Sequence, residues 1–378
     1  MPVRATKRGA ERTSLDSDCD VLICGASFAG LAIARELAGS GAQVMVLDRY
    51  EIGERQTSAC GIPTRWLEVL GLTAALQQTF GELVIHTPYA TVRFELPWTF
   101  STFDYRTLCT LLAEQGDFSF ETATVNGLGA AAAENGSVAV LTDRGEIRAP
   151  LVVDALGWRR VLGGGDPIQP PEAYLSRGLE VHPGGAGEDL EVWIDRAYVP
   201  AGYGWSFPAA EEVRVGVGSF DPRFHVKQPT LKLADDLKRD PVRYQGNWIP
   251  HRLREATEGR VFFVGDSAGH CLPLTAEGIR TAFYFGIAAG RELRAVLEGS
   301  QTRPAALAAY GTFSAAHHAK FELMLRAQQL IPRVPPRILT PTLRAIGAKS
   351  FVAWLFGHYL RIAPPEFATR PAGALLSR

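Results

Sequence analysis

Long apolar runs are missing from this chain. No stretch reaches the ~18 consecutive apolar residues that a membrane-spanning helix needs, so the expectation is a soluble protein. Cysteine is scarce: Cys19, Cys24, Cys60, Cys109 and Cys271 are odd in number, scattered and without a CxxC pair. That excludes a disulfide framework and a zinc site, and it fits a reducing, cytoplasmic setting. His317-His318 and the other histidines have no metal-ligand spacing, so no metal is expected. Neither sign of charge is in excess. Lys plus Arg number 39 against 40 for Asp plus Glu, so no global field favours nucleic acid or an anionic membrane. The segment Met1 to Asp18 has no apolar core and reads as a fraying, flexible terminus, neither a secretory signal nor an anchor. Internal repeats are also lacking.

What is present is enough apolar residue, 46% of 378, to bury a sizeable core, and enough length for two to three structural units. The strongest pattern runs from Asp20 to Asp48. Val21-Leu22-Ile23-Cys24 reads as a buried strand and Gly25-Ala26-Ser27-Phe28-Ala29-Gly30 as a tight turn. A helix carrying Leu31, Ala34, Leu37 and Ala38 follows, and Gln43 to Asp48 is a second buried strand. Such a strand-turn-helix offers unpaired backbone N–H groups and the positive end of the helix dipole to a pyrophosphate. Gly25 permits the turn and Gly30 lets helix and strand pack closely. Ser27 stands at the middle glycine of the usual fingerprint, and is small enough to keep the ligand's approach open. Asp48 lies about 20 residues beyond the turn, where an acid can bind ribose hydroxyls. Dinucleotide binding is the reading.

Further along, a helix is expected from Trp66 to Leu76, antiparallel strands over Leu83 to His86 and Thr91 to Leu96, and a helix opening at Phe103 to Leu108. Leu151 to Asp154 is a short buried strand, and the Gly/Pro-rich stretch Gly163 to Pro171 reads as a crossing between lobes. Tyr174 to Phe220 is strand-like. Parallel-sheet character returns at Arg260 to Asp266, followed by a long helix from Gly278 to about Leu297. The tail from Pro304 reads as helix interrupted at Pro332, Pro335, Pro336 and Pro341. The fold class is therefore α/β, with a discontinuous Rossmann-like domain (18–80, 101–165 and 251–300), an antiparallel β-sheet substrate domain (81–100 and 166–250), a helical region from 301 to 378, and a flexible 1–17.

A second candidate site separates a flavin from a nicotinamide. Gly265-Asp266-Ser267-Ala268-Gly269-His270 follows a buried strand and leads through Pro273 to Thr275-Ala276-Glu277-Gly278-Ile279 and a helix. An acid there can hold ribityl hydroxyls, and N–H groups opening the helix can stabilise a reduced isoalloxazine. The glycine turn, Arg106 within Asp104-Tyr105-Arg106, Asp154-Ala155-Leu156-Gly157 and Gly265-Asp266 stand in the order of the FAD-dependent oxidoreductases of the aromatic-hydroxylase superfamily, which the chain resembles from about Asp20 to Gly299. Within it, Gly202-Tyr203-Gly204-Trp205-Ser206-Phe207-Pro208 resembles the Tyr-x-Trp-x-Phe-Pro signature of the geranylgeranyl reductase branch. Pro273 to Ile279 is similar to that branch's Pro-x-Thr-Gly-Glu-Gly-Ile loop, and Cys60-Gly61 to its Cys-Gly motif.

Three positions depart from these patterns. Ala276 replaces a glycine, Ile62 ends the Cys-Gly-Gly segment early, and Leu156 takes the place of the hydroxylases' acid, which puts their NAD(P)H-binding mode in doubt.

The resemblance implies FAD, held by Gly25, Ser27, Ala29, Gly30, Asp48, Arg49, Gly61, Arg106, Gly265, Asp266, Pro273, Gly278 and Ile279. Tyr203, Trp205 and Phe207 alternate on one strand and so share a face; they are the candidate wall of a hydrophobic substrate site, with core packing as the alternative. Cys60, His270 and Glu277 are candidates for handling protons. An inert buried cysteine and a helix-dipole partner are the alternatives for Cys60 and Glu277. The external electron donor stays open between NAD(P)H and ferredoxin, the latter adding an electron-donor protein to the partners. The implied activity is reduction of C=C bonds of an isoprenoid or other hydrophobic substrate. Two alternatives are a monooxygenase or halogenase acting on an aromatic or polyketide substrate, and a redox-neutral cyclase or lipid-binding flavoprotein. The basic and apolar tail is read as a helical cap, with peripheral membrane contact as the alternative.

Overall fold

In a computed structural model, residues 13–56, 58–129, 136–164, 169–170, 172–346 and 349–369 are described. Residues 1–12 of the expected flexible terminus, and 165–168 and 171 of the expected crossing, lie outside the described residues.

Among the described residues the strands sort into three sheets. The first has the strand order Thr257–Glu258, Val261–Phe263, Leu151–Asp154, Val21–Cys24, Val44–Asp48, Ser119–Thr122. Its five inner and far strands run parallel. Val21–Cys24 and Leu151–Asp154 are buried at every position, as expected of strands covered on both faces. Chain order reverses between these two strands, which places the ligand crevice of an open α/β sheet at their carboxyl ends. The helix Phe28–Glu36 covers this sheet, and Ile279–Leu297 packs against that helix. Their contact is close because Gly286 and Gly290 face Ala29, Ala32, Ile33 and Glu36, leaving no room for a Cβ.

The second sheet has eight strands in the order Gln245–Pro250, Leu175–Val181, Glu212–Ser219, Gly202–Ala209, Leu190–Trp193, Leu76–Thr87, Ala90–Phe103, Gly61–Pro63. All neighbours are antiparallel except Leu190–Trp193 against Leu76–Thr87. Val213, Val215 and Val217 pack one face onto Leu233 and Ala234 of the helix Lys227–Asp236. A smaller sheet joins Ser17–Asp18, Gly145–Ala149, Val138–Thr142 and Val125–Leu128.

Several expected boundaries move. The helix expected from Trp66 to Leu76 is only Thr64–Val69, with a 3-10 turn Thr73–Ala75, because Gly71 at φ +68° closes it in the left-handed conformation. Leu76 already begins a strand. Pro341 does not interrupt the tail but lies inside the helix Pro336–Ile346, which Pro336 opens at the position where a missing N–H costs nothing. That helix is held to the sheet by the Thr340 and Thr87 hydroxyls, 2.9 Å apart.

Candidate functional site

Three strand ends converge on the crevice. After Cys24, Gly25 turns at φ +115°, and a Cβ there would lie 2.2 Å from the Ala155 carbonyl oxygen that follows the neighbouring strand. A Cβ at Gly30 would lie 1.9 Å from the Gly25 oxygen. Both glycines are thus required by close approach of backbone, which is the role the sequence predicts. Ser27 caps the helix Phe28–Glu36 without a side-chain bond to its N–H groups, and no acid occupies the first turn. Its hydroxyl instead lies 3.2 Å from Tyr105 Oη. The helix therefore presents its amino end, uncovered by any side-chain cap, to the crevice, as an anion site requires.

Asp48 ends the next strand and accepts 2.8 Å and 3.0 Å bonds from the Ala26 and Tyr50 N–H groups. Burial pushes its pKa up, and these amide bonds oppose the shift. Arg49 is exposed with its guanidinium 5.0 Å from the Tyr50 ring. Arg106 is exposed at the start of the helix Tyr105–Glu114, against Gly53 in the loop after Asp48.

The late loop meets this cradle directly. Gly265 turns at φ +65°, and a Cβ on it would stand 3.2 Å from that of Ala29. The two segments that sequence places more than two hundred residues apart are neighbours. Asp154, fully buried, ties the late loop to the segment that follows its own strand by accepting from the Leu156 and Leu162 N–H groups and from Ser267 Oγ at 2.6 Å. Asp266 beside it is pushed up to about 6, chiefly by burial, with Arg254 opposing. The chain also bends back on itself at Pro273, with Leu272 N–H donating to the Glu277 oxygen. Ala276, at the family's glycine position, holds φ +52°, a conformation glycine adopts without strain. Gly278 packs against Cys271, and Ile279 opens the long helix, which has no side-chain cap and no acid in its first turn. Two open helix ends, a glycine cradle with backbone on either side and one acid at each loop fit FAD.

The Asp266 shift has a consequence for the FAD-free protein. Its folded pKa stands above the ordinary 3.8, so the native state binds this proton more tightly than the unfolded chain, and stability falls as pH rises from about 4 to about 6. Asp266→Asn should stabilise the FAD-free protein at about pH 8 by on the order of 2 kcal/mol and leave it unchanged below about pH 4. Urea unfolding at the two pH values checks this; an equal effect at both would contradict it.

Opposite the loops stands the aromatic strand. Tyr203, Trp205 and Phe207 pair in register with Gly218, Gly216 and Arg214. The glycines make room for the rings: a Cβ at Gly216 would lie 2.2 Å from Trp205 Cζ2. Tyr203 Oη donates to the Thr275 oxygen at 2.7 Å, Trp205 Nε1 to Glu180 at 3.2 Å, and Phe207 packs edge-on to Phe100. Gly61 lies against the same Phe100 ring.

Each proton-handling candidate has a defined place. Cys60 is fully buried at φ +54°, its thiol 3.1 Å from the Ser58 oxygen and its pKa raised by burial. Glu277 pairs with Arg280 at 2.7 Å and accepts from Tyr359 Oη. His270 is buried against Phe285 with Nε2 2.9 Å from Ser314 Oγ, and burial lowers its pKa well below the usual range.

Sequence reasoning missed two buried arginines. Arg214 donates to the Ala59, Cys60 and Phe103 oxygens, clamping the Cys60 loop to the sheet. Arg280 donates to Tyr359, Leu360 and Ala363. The lone arginine in the run Val213-Arg214-Val215, flanked by valines, was the available signal for the first.

Comparison with known proteins accords with this geometry. A family model described as FAD binding domain matches residues 18–96. The chloroplastic geranylgeranyl diphosphate reductase of Nicotiana tabacum is 32% identical over 29% of this chain, but the match spans only 25% of that protein's length. Digeranylgeranylglycerophospholipid reductase 2 of Methanopyrus kandleri is 24% identical over 93% of this chain and 97% of its own. Among solved structures, a geranylgeranyl bacteriochlorophyll reductase-like protein from Thermoplasma acidophilum superposes with a TM-score of 0.79, at 18% identity, over 93% of this chain and 98% of that one. A probable FAD-dependent monooxygenase from Pseudomonas aeruginosa does so with a TM-score of 0.65, also at 18% identity, over 90% of this chain and all of that one. These two share the fold. The chain thus carries an FAD-binding domain, is similar in sequence to geranylgeranyl reductase-like proteins, and shares its fold with a probable FAD-dependent monooxygenase.

Proposed function

We propose that this protein reduces C=C bonds of an isoprenoid or other elongated hydrophobic substrate. The observation that carries the reading is the aromatic strand, whose Tyr203 is bonded to the loop that opens the flavin-side helix. FAD, when bound and reduced, supplies the hydride. The protein's own part is placement, dryness and a proton. Gly25, Ser27, Ala29 and Gly30 receive the pyrophosphate, with Arg106 and Arg49 beside it. Asp48 and Asp266 serve the two sugar-like portions, and Gly61, Pro273, Gly278 and Ile279 border the ring. Tyr203, Trp205 and Phe207 present an apolar face that excludes water and aligns an alkene. Of the proton candidates, Glu277 is engaged by Arg280 and His270 by Ser314. Burial holds the proton on Cys60 Sγ, which is bonded to the Ser58 oxygen, and this makes the thiol a weak acid.

The fold is shared with a monooxygenase, so oxygen is the discriminating reagent. Mass spectrometry of the product from a polyprenyl substrate, incubated with chemically reduced protein under argon, should show gain of hydrogen and none of oxygen. A product formed only in air and carrying oxygen would replace this reading with the monooxygenase one.

The wall can be perturbed without touching the cofactor loops. Gly216→Ala forces the Trp205 indole from its place and should lower turnover at least about tenfold, as misplacement by an ångström does, with FAD content unchanged. Unaltered turnover would show that Trp205 is core packing.

A further inference from the structure

Charge and exposure are concentrated in one part of the tail. Residues 323–365 contain Arg326, Arg333, Arg337, Arg344, Lys349 and Arg361 and no Asp or Glu, so this segment carries +6 while the remaining residues carry −7, giving the total of −1. The five arginines are exposed and, among the described residues, none is in an ion pair. Between them stand large apolar side chains in water: Leu330 is 61% exposed, Ile338 57%, Trp354 56% and Phe351 41%.

The two helices concerned, Pro336–Ile346 and Lys349–Leu360, already have one face committed. Val352, Leu343 and Phe356 pack on Val92 and Phe94 of the large sheet, and Thr340 bonds Thr87. Ile338, Phe351 and Trp354 are therefore the uncommitted side, with Phe351 and Trp354 rings 5.7 Å apart. Exposed aromatics and aliphatics interleaved with arginine, free of acids, are the pattern of a helix lying at an anionic lipid interface. A protein partner would be expected to answer the arginines with paired acids of its own; a bilayer needs only diffuse negative charge. No helix among the described residues is long and apolar enough to cross a membrane, so the contact is with the surface.

We propose that the exposed sides of the helices Pro336–Ile346 and Lys349–Leu360, with Leu330 and Arg333 beside them, form a docking surface for an anionic lipid bilayer. Near the end of the helix Lys349–Leu360, the Tyr359 hydroxyl donates to Glu277 and lies 2.9 Å from Thr275 Oγ1. Tyr359 lies on the committed face with Val352 and Phe356, so the helix that carries the docking face is anchored to the Thr275-to-Glu277 loop. The surface itself stands on charge and exposure and does not depend on the reaction.

The test is flotation of the full-length, FAD-loaded protein with phosphatidylglycerol-containing vesicles and with pure phosphatidylcholine vesicles. Association should occur with the first only, and molar salt should release it. Arg337→Glu and Arg344→Glu should each weaken it by roughly fivefold or more. The pair Ile338→Ser and Trp354→Ser should abolish it, with FAD content and melting temperature kept. Equal binding to both vesicles, no binding to either, or a salt-resistant dimer broken by the same serine pair would overturn the proposal, the last by assigning the face to a second copy. Because the readout needs no turnover, it stands or falls apart from the proposed reductase activity.

Discussion

Gly25→Ala should yield a colourless protein. The added methyl would sit 2.2 Å from the Ala155 oxygen, at φ +115°, so either the turn or the neighbouring strand end must move. Both border the crevice. Losing two backbone hydrogen bonds to a charged pyrophosphate, at about 1.5–3 kcal/mol each, weakens FAD by roughly a hundredfold or more. The control is Gly39→Ala. Gly39 also has a left-handed φ, +71°, but nothing lies within 4 Å of its would-be Cβ. It should cost about 1–2 kcal/mol of stability and leave the visible spectrum intact. Flavin absorbance per mole of folded protein compares the two; equal flavin in both would mean that close approach at Gly25 is irrelevant to binding.

Arg280→Met should destabilise the protein by about 3–5 kcal/mol, read by urea unfolding. Arg280 is fully buried, pairs with Glu277 and supplies the donors for the Tyr359, Leu360 and Ala363 oxygens. Methionine keeps the apolar stem but not the guanidinium, and leaves a buried carboxylate and three carbonyls without that partner. The segment from Tyr359 to Thr369 is also held by Trp66 Nε1 and by Arg291, which donates to the Phe367 oxygen. Its release should make the chain more easily cut near Tyr359, and the flavin-side loop should loosen with it. A change under about 1 kcal/mol would mean that Glu277 and the tail are anchored elsewhere.

The cradle was legible in sequence because its determinants are local. Gly25, Gly30, the buried strand Val21–Cys24 and Asp48 lie within one βαβ unit, where periodicity and glycine placement carry the information. The Gly265-Asp266 loop was legible for the same reason, and its contact with Ala29 follows from the parallel sheet once both strands are placed. Other features depend on partners far along the chain. Arg280 meets carbonyls of residues 359–363, and Arg214 meets those of Ala59, Cys60 and Phe103. No local pattern announces such pairings. His270 illustrates the converse. Its place in the late glycine loop was readable, but its burial is set by Phe285 of the helix Ile279–Leu297 and Ser314 of the helix Arg303–Ala315. The helix running through Pro341 was misjudged because packing on the large sheet outweighs a local breaker. Tyr203, Trp205 and Phe207 alternate in sequence, but only their cross-strand glycines show which face has room for rings.

A crystal structure of the yellow protein tests the account at its root. One FAD should lie extended, its adenosine end at Asp48, its pyrophosphate at the Gly25 turn and its ring between Pro273 and the Trp205 indole. Density placing the ring away from that aromatic strand, or flavin bound at only one of the two loops, would contradict it.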